Sequence, residues 1–103
     1  MIQYFFIKNN AKIEKIQIKG HSLYDIKNRD IVCASVSTAI IMTLNIIEIC
    51  EFKSNISYDL KEGFFMLKLL KYDYILNKLL LNLEYTLKDL NQNYPKYLQE
   101  IQN

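Results

Sequence analysis

"DIVCASVSTAIIMTLNIIEIC", residues 30–50, is the stretch from which the fold is read. Val32, Val36, Ala39, Ile40, Thr43, Leu44 and Ile47 recur at the i, i+4, i+7, i+8 spacing of a helix with one buried face. Asp30 stands where an N-cap belongs, because its carboxylate can accept a backbone N–H that the first turn leaves unpaired. The spacing predicts a helix from about residue 31 to 49.

Upstream the period is two rather than 3.6. Ile2, Tyr4 and Phe6 alternate with Gln3 and Phe5, "KNNAK" supplies the turn-prone Asn9 and Asn10, and "KIEKIQIK" resumes with Ile16 and Ile18. This predicts two strands joined as a hairpin. Ile13 is off the parity of Ile16 and Ile18, which calls for a bulge or a late strand start. Downstream, EFKSNISY (51–58) and GFFMLKLL (63–70) are strand-prone segments separated by "DLKEG", with Gly63 able to supply a turn. Ile75, Leu76, Leu79, Leu80, Leu83, Leu87 and Leu90 form a second helical stripe that ends in "NQNYP". The predicted order is ββαββα: an α+β fold with two helices covering one face of a single four-stranded sheet.

At 103 residues the chain is one domain, residues 1–103, and folding should remove about two thirds of the unfolded surface from water. Of the 13 basic residues 12 are Lys, spread along the chain, and only Arg29 is Arg. Base edges and phosphate forks favour clustered Arg, so direct nucleic-acid binding is not expected. The start, MIQYFFIKNN, has no basic leading segment and too short an apolar run for a signal peptide, which points to the cytoplasm. The uncharged stretch Ile31 to Ile47 contains Cys, Ser, Thr and Asn and stops at Glu48, which suits a packed helix better than a membrane span.

Cys33 and Cys50 would lie near opposite ends of the predicted helix, about 25 Å apart at about 1.5 Å per residue. A disulfide needs Cα atoms within about 7 Å, and one His with two distant Cys falls short of a zinc set. Cys33 instead sits third in its helix, beside unpaired N–H groups and the positive end of the helix dipole, a place that favours thiolate. His21, the only histidine, lies twelve positions earlier. Within hydrogen-bond reach it would activate the sulfur as a base and then protonate a leaving amine. Asp30 opposes ionisation of the sulfur, an effect the helix end and a protonated His21 are expected to outweigh. It either caps the helix or orients the imidazole as third member of a triad. The bland reading is a small buried Cys and a solvated His.

The longer string of Gly20, His21, Asp30, Ile31, Val32, Cys33, Ala34 and Ser37 resembles the ribosomal-processing cysteine protease family, Prp. The resemblance implies Cys33 as nucleophile and His21 as general base. It also implies removal of an N-terminal extension from large ribosomal subunit protein twenty-seven, a homodimer, no metal or cofactor, and a loop after His21 that orders on the substrate; no membrane is expected from the composition of the Ile31 to Ile47 stretch. Two positions depart from the family pattern: Ser22 replaces the usual Ala, and Asn28 stands where many relatives have Gly. Asn tolerates a left-handed backbone, so the turn can survive. Ser22, Tyr24 and Asn28 are the candidate substrate-loop residues, Tyr24 either touching substrate or covering apolar surface. Gly20 either supplies a special backbone angle or ends its strand. Ser37, one turn beyond Cys33, is expected to pack or hydrogen-bond, with direct chemistry the lesser alternative, and the N–H groups of Cys33 and Ala34 are the expected oxyanion donors. The competing reading is a non-catalytic ribosome- or RNA-associated module.

Overall fold

The computed structural model describes residues 1–21 and 30–102. β1 (Ile2–Asn9) and β2 (Lys12–Gly20) form the first hairpin, and α1 (Ile31–Ile49) follows. A 3₁₀ turn at Lys53–Asn55 leads into β3 (Ile56–Lys61) and β4 (Phe64–Leu69), then α2 (Tyr74–Asn93) and β5 (Leu98–Glu100). The strands lie in the order β3-β4-β2-β1-β5, antiparallel throughout except for the parallel pair of β1 and β5.

The fold is α+β with two helices and one sheet, as expected, but the sheet has five strands and the order is ββαββαβ. The added strand is three residues long with only Leu98 buried, so it carries no alternation to read. It is held from outside itself: Ile2 N–H donates to Tyr97 O at 2.9 Å and Ile101 N–H to Tyr4 O at 2.8 Å. The second hairpin is also tighter than predicted. Asp59, Leu60 and Lys61 of the supposed connection belong to β3, only Glu62 and Gly63 turn, and residues 53–55 are 3₁₀ rather than strand. β3 is an edge strand with just Ile56 buried, which is why its charged residues read as a loop.

The first hairpin turns at Asn10 and Ala11, both with positive φ (52° and 69°). Two successive left-handed residues match the twist of a tight hairpin, and Ala11 adopts that region at a steric cost. Asn77 on α2 holds the turn in place. Its Oδ1 accepts from Ile13 N–H at 2.9 Å and its Nδ2 donates to Ala11 O at 3.1 Å. The pairing then slips by one residue between Ile7 and Lys8, so that Ile7 faces Lys15 but Lys8 faces Ile13. This bulge lets Ile13, Ile16 and Ile18 all point into the core despite their mixed parity.

Both helices lie on the core face of the sheet. α1 spans the predicted range and buries Val32, Val36, Ile40, Thr43 and Ile47; α2 buries Leu76, Leu80, Leu83, Glu84 and Leu87. Asp73 caps α2 through Ile75 N–H and Leu76 N–H. The buried Glu84 carboxylate is neutralised by Lys8 at 2.7 Å, with Lys88 at 3.7 Å. α1 is long and apolar enough to cross a membrane by composition alone, but its Val32 to Ile47 stripe is packed against protein.

Leu80 is fully buried beneath this layer, and Leu80→Ala is expected to cost about 2–5 kcal/mol in urea denaturation. Tyr4 is fully buried as well, and burial pushes its phenol above the ordinary value of 10.0, against a weaker pull from Asn91. A raised phenol contributes its full share of stability below the unfolded-state value and loses it as pH rises toward the folded value. Tyr4→Phe should therefore flatten the alkaline limb of a stability series run from about pH 8 to 11.

Candidate active site

The site forms where three elements end together. β2 stops at Gly20, whose φ of +114° lies in the region that L side chains avoid, and an added Cβ there would overlap the carbonyl oxygen of Met1. Gly20 is thus required for its backbone angle and not merely as a strand end. Its N–H donates to Gly63 O at 2.9 Å, which ties the end of β2 to the turn between β3 and β4. His21 follows directly, is exposed, and lays its ring against Gly63: a Cβ built on residue 63 would lie 2.7 Å from Nε2 and 3.1 Å from Cε1.

Cys33 comes to the same place from the start of α1. It is half-buried, packed beside the core yet facing a cleft of about 250 Å³ that His21, Gly20 and Ser37 also line. Ile2, Ile18, Val36, Ile40 and Phe65 give the cleft an apolar wall, and Leu60 to Phe64 contribute the second hairpin's rim. Val36, Ser37 and Ile40 stand three, four and seven residues beyond Cys33, so one helical stripe carries the thiol and part of the apolar wall. Cys33 and Cys50, at opposite ends of α1, form no disulfide.

Asp30 is the N-cap. Its Oδ1 accepts from Val32 N–H at 3.1 Å and from Cys33 N–H at 3.0 Å, while its carbonyl accepts from Ala34 N–H at 3.0 Å. This corrects the expected oxyanion donors: the N–H groups of Cys33 and Ala34 are both engaged, because the cap carboxylate takes the first and the helix ladder takes the second. Ala34 is exposed and its side chain is not among those lining the cleft.

The structure therefore gathers Gly20, His21, Cys33 and Ser37 on one cleft and places Asp30 beneath the thiol-bearing turn. Ser22, Tyr24 and Asn28 lie outside the described residues. Sequence reasoning missed the second hairpin as a wall of the site, reading GFFMLKLL only as a strand-prone segment. The sole advance signal was the turn glycine at 63. Among the described residues no group of three or more His, Cys, Asp or Glu could hold a metal ion.

Comparison with known proteins agrees with this architecture. The structure of the ribosomal processing protease Prp from S. aureus with a covalently linked product peptide superposes with a TM-score of 0.87 at 19% identity, covering 97% of each chain. The same protease with a substrate peptide gives 0.79 at 19% identity over 98% of each chain. SMU.848 from Streptococcus mutans gives 0.75 at 26% identity, covering 97% of this chain and 91% of that one. No curated protein matches. The cysteine protease Prp family matches residues 1–99, nearly the whole chain and all of the cleft. The chain belongs to the cysteine protease Prp family and is a cysteine-type peptide-bond hydrolase.

Proposed function

We propose that this protease removes the N-terminal extension of large ribosomal subunit protein twenty-seven, with Cys33 as nucleophile and His21 as general base and acid. The observation that carries the reading is that thiol and imidazole line one cleft whose wall is aliphatic and aromatic. Such a wall accepts a large apolar side chain on the acyl side of the cut bond. The Cys33 sulfur attacks the carbonyl carbon, the C–N bond breaks, and His21 delivers its proton to the departing amine. Water then displaces the sulfur, leaving a new carboxylate end and restoring the thiol. The chain's own residues supply nucleophile, proton carrier and pocket, so the reading assigns no metal or cofactor. It places the enzyme in the cytoplasm, where ribosomes are assembled.

A homodimer is part of the same reading. The outer face of α1 exposes Ile41 (49%), Met42 (65%) and Ile49 (74%), and Glu48 is the only charged residue in the helix. Apolar residues this open along one helix favour cover by a second copy.

A second reading, a ribosome- or RNA-associated module, is favoured by the sheet face away from the helices. Lys15 lies directly opposite Lys68 across β2 and β4, and Phe64 is flanked by Lys19 and Lys61, with Lys61 Nζ 5.4 Å from its ring centroid. Directly opposed like charges destabilise a sheet, and an anion would relieve them. This reading expects salt-sensitive RNA binding that survives loss of the thiol.

Incubated with the extended precursor and followed by mass, the parent protein should yield a shortened product. Cys33→Ala should yield none, and His21→Ala should be slower by about 10²-fold or more. Cleavage by Cys33→Ala at the parent rate would refute the protease assignment of this cleft. Asp30→Asn, which keeps an acceptor at the cap, should cleave within about threefold of the parent, whereas Asp30→Ala should lose about 1 kcal/mol of stability. A drop of about 10³-fold or more in kcat for Asp30→Asn, with stability intact, would show instead that the carboxylate orients the imidazole.

A further inference from the structure

The turn between β3 and β4 carries a glycine with two separate demands on it. Its φ of +72° is the first, and any residue tolerant of the left-handed region meets that. The second is space. A Cβ on residue 63 would sit 2.7 Å from His21 Nε2, 3.1 Å from Cε1 and 3.5 Å from Cδ2. These are ring atoms on a side chain with two torsions, so the imidazole would have to swing away rather than yield at a flexible tip. The backbone just before the ring is fixed to the same turn by the 2.9 Å bond from Gly20 N–H to Gly63 O.

We propose that Gly63 is a positioning residue for the proton-transfer step: its bare α-carbon is the seat on which the His21 ring rests, so that the second hairpin, not the helix bearing Cys33, sets where the base stands. The inference rests on His21 acting as the base, as proposed above. It adds a residue on the cleft rim that acts on the proton transfer through the imidazole rather than on the sulfur. A ring resting against the turn by its Nε2 and Cε1 edge is directed toward the cleft before substrate arrives, which is the form of preorganisation that speeds chemistry without changing affinity. The turn's neighbours Leu60, Lys61, Glu62 and Phe64 form the cleft rim, so the seat and the rim belong to one hairpin.

His21 is the only histidine, so its ring protons give a single, self-assigned set of NMR signals. In the parent protein, cross-relaxation between the ring protons and the Gly63 α-protons is expected; its absence overturns the proposal without any variant. Gly63→Asn satisfies the turn but fills the seat. It is expected to keep its thermal midpoint within a few degrees, to move the ring signals, and to lower kcat for precursor cleavage about tenfold or more with KM within about threefold. Gly63→Ala should show the same kinetic split with a larger loss of stability. Unchanged ring signals and kcat in Gly63→Asn overturn the proposal. Shifted ring signals with parent-like kcat also overturn it, while leaving His21 as base. Parent-like cleavage by His21→Ala removes the base reading itself, and the proposal falls with it.

Discussion

The hydrogen bond from Gly20 N–H to Gly63 O joins the ends of two hairpins, and the geometry of the site depends on it. β2 pairs with β4 from Lys15 to Lys19, and the bond carries the alignment one residue past the last paired strand position. Gly20 then turns through a φ of +114°, pressed against the Met1 carbonyl on the neighbouring β1. A side chain there would break the pairing of Ile2 with Gly20 and displace His21 from the cleft in the same movement. Hairpin register and the placement of His21 are in this sense one constraint, enforced at Gly20, where only hydrogen fits.

Much of this was legible in the sequence because the signals were local. A stripe at helical spacing opened by a capping Asp marked both ends of α1, and the apolar run from Leu76 to Leu87 marked α2. The mixed parity of Ile13, Ile16 and Ile18 pointed to a bulge or a late strand start, and the register shift shows it to be a bulge. The His21 and Cys33 pair was legible because both residues sit in one short string. What escaped was set by partners far along the chain. β5 exists because β1 offers it a free edge and Tyr97 O, and nothing within Leu98–Glu100 announces a strand. β3 is exposed at all but one position, so Asp59 and Lys61 looked like turn residues. The contact of Gly63 with an imidazole some forty residues earlier is tertiary, and no local pattern encodes it.

Cys33 occupies a middle ground between the two readings that its sequence permitted. It packs against the core cluster, as a small hydrophobe would, yet it also lines an open cleft shared with the histidine. A sulfur sealed in hydrocarbon would have favoured the structural reading alone. The half-buried placement gives the thiol a fixed direction and leaves it reachable, two properties that a nucleophile requires together.

The cap places a further demand on the histidine. The open end of a helix carries roughly half a positive charge, while the Asp30 carboxylate brings a full negative one and accepts the N–H of the nucleophile's own residue. The same bond occupies an N–H group that would otherwise face an acyl oxygen. On the reading proposed above, activation of Cys33 falls mainly to the imidazole, which the second hairpin positions. The imidazole lies against a turn that also forms the rim of the cleft, so on that reading the placement of the base and the entry of substrate share one element.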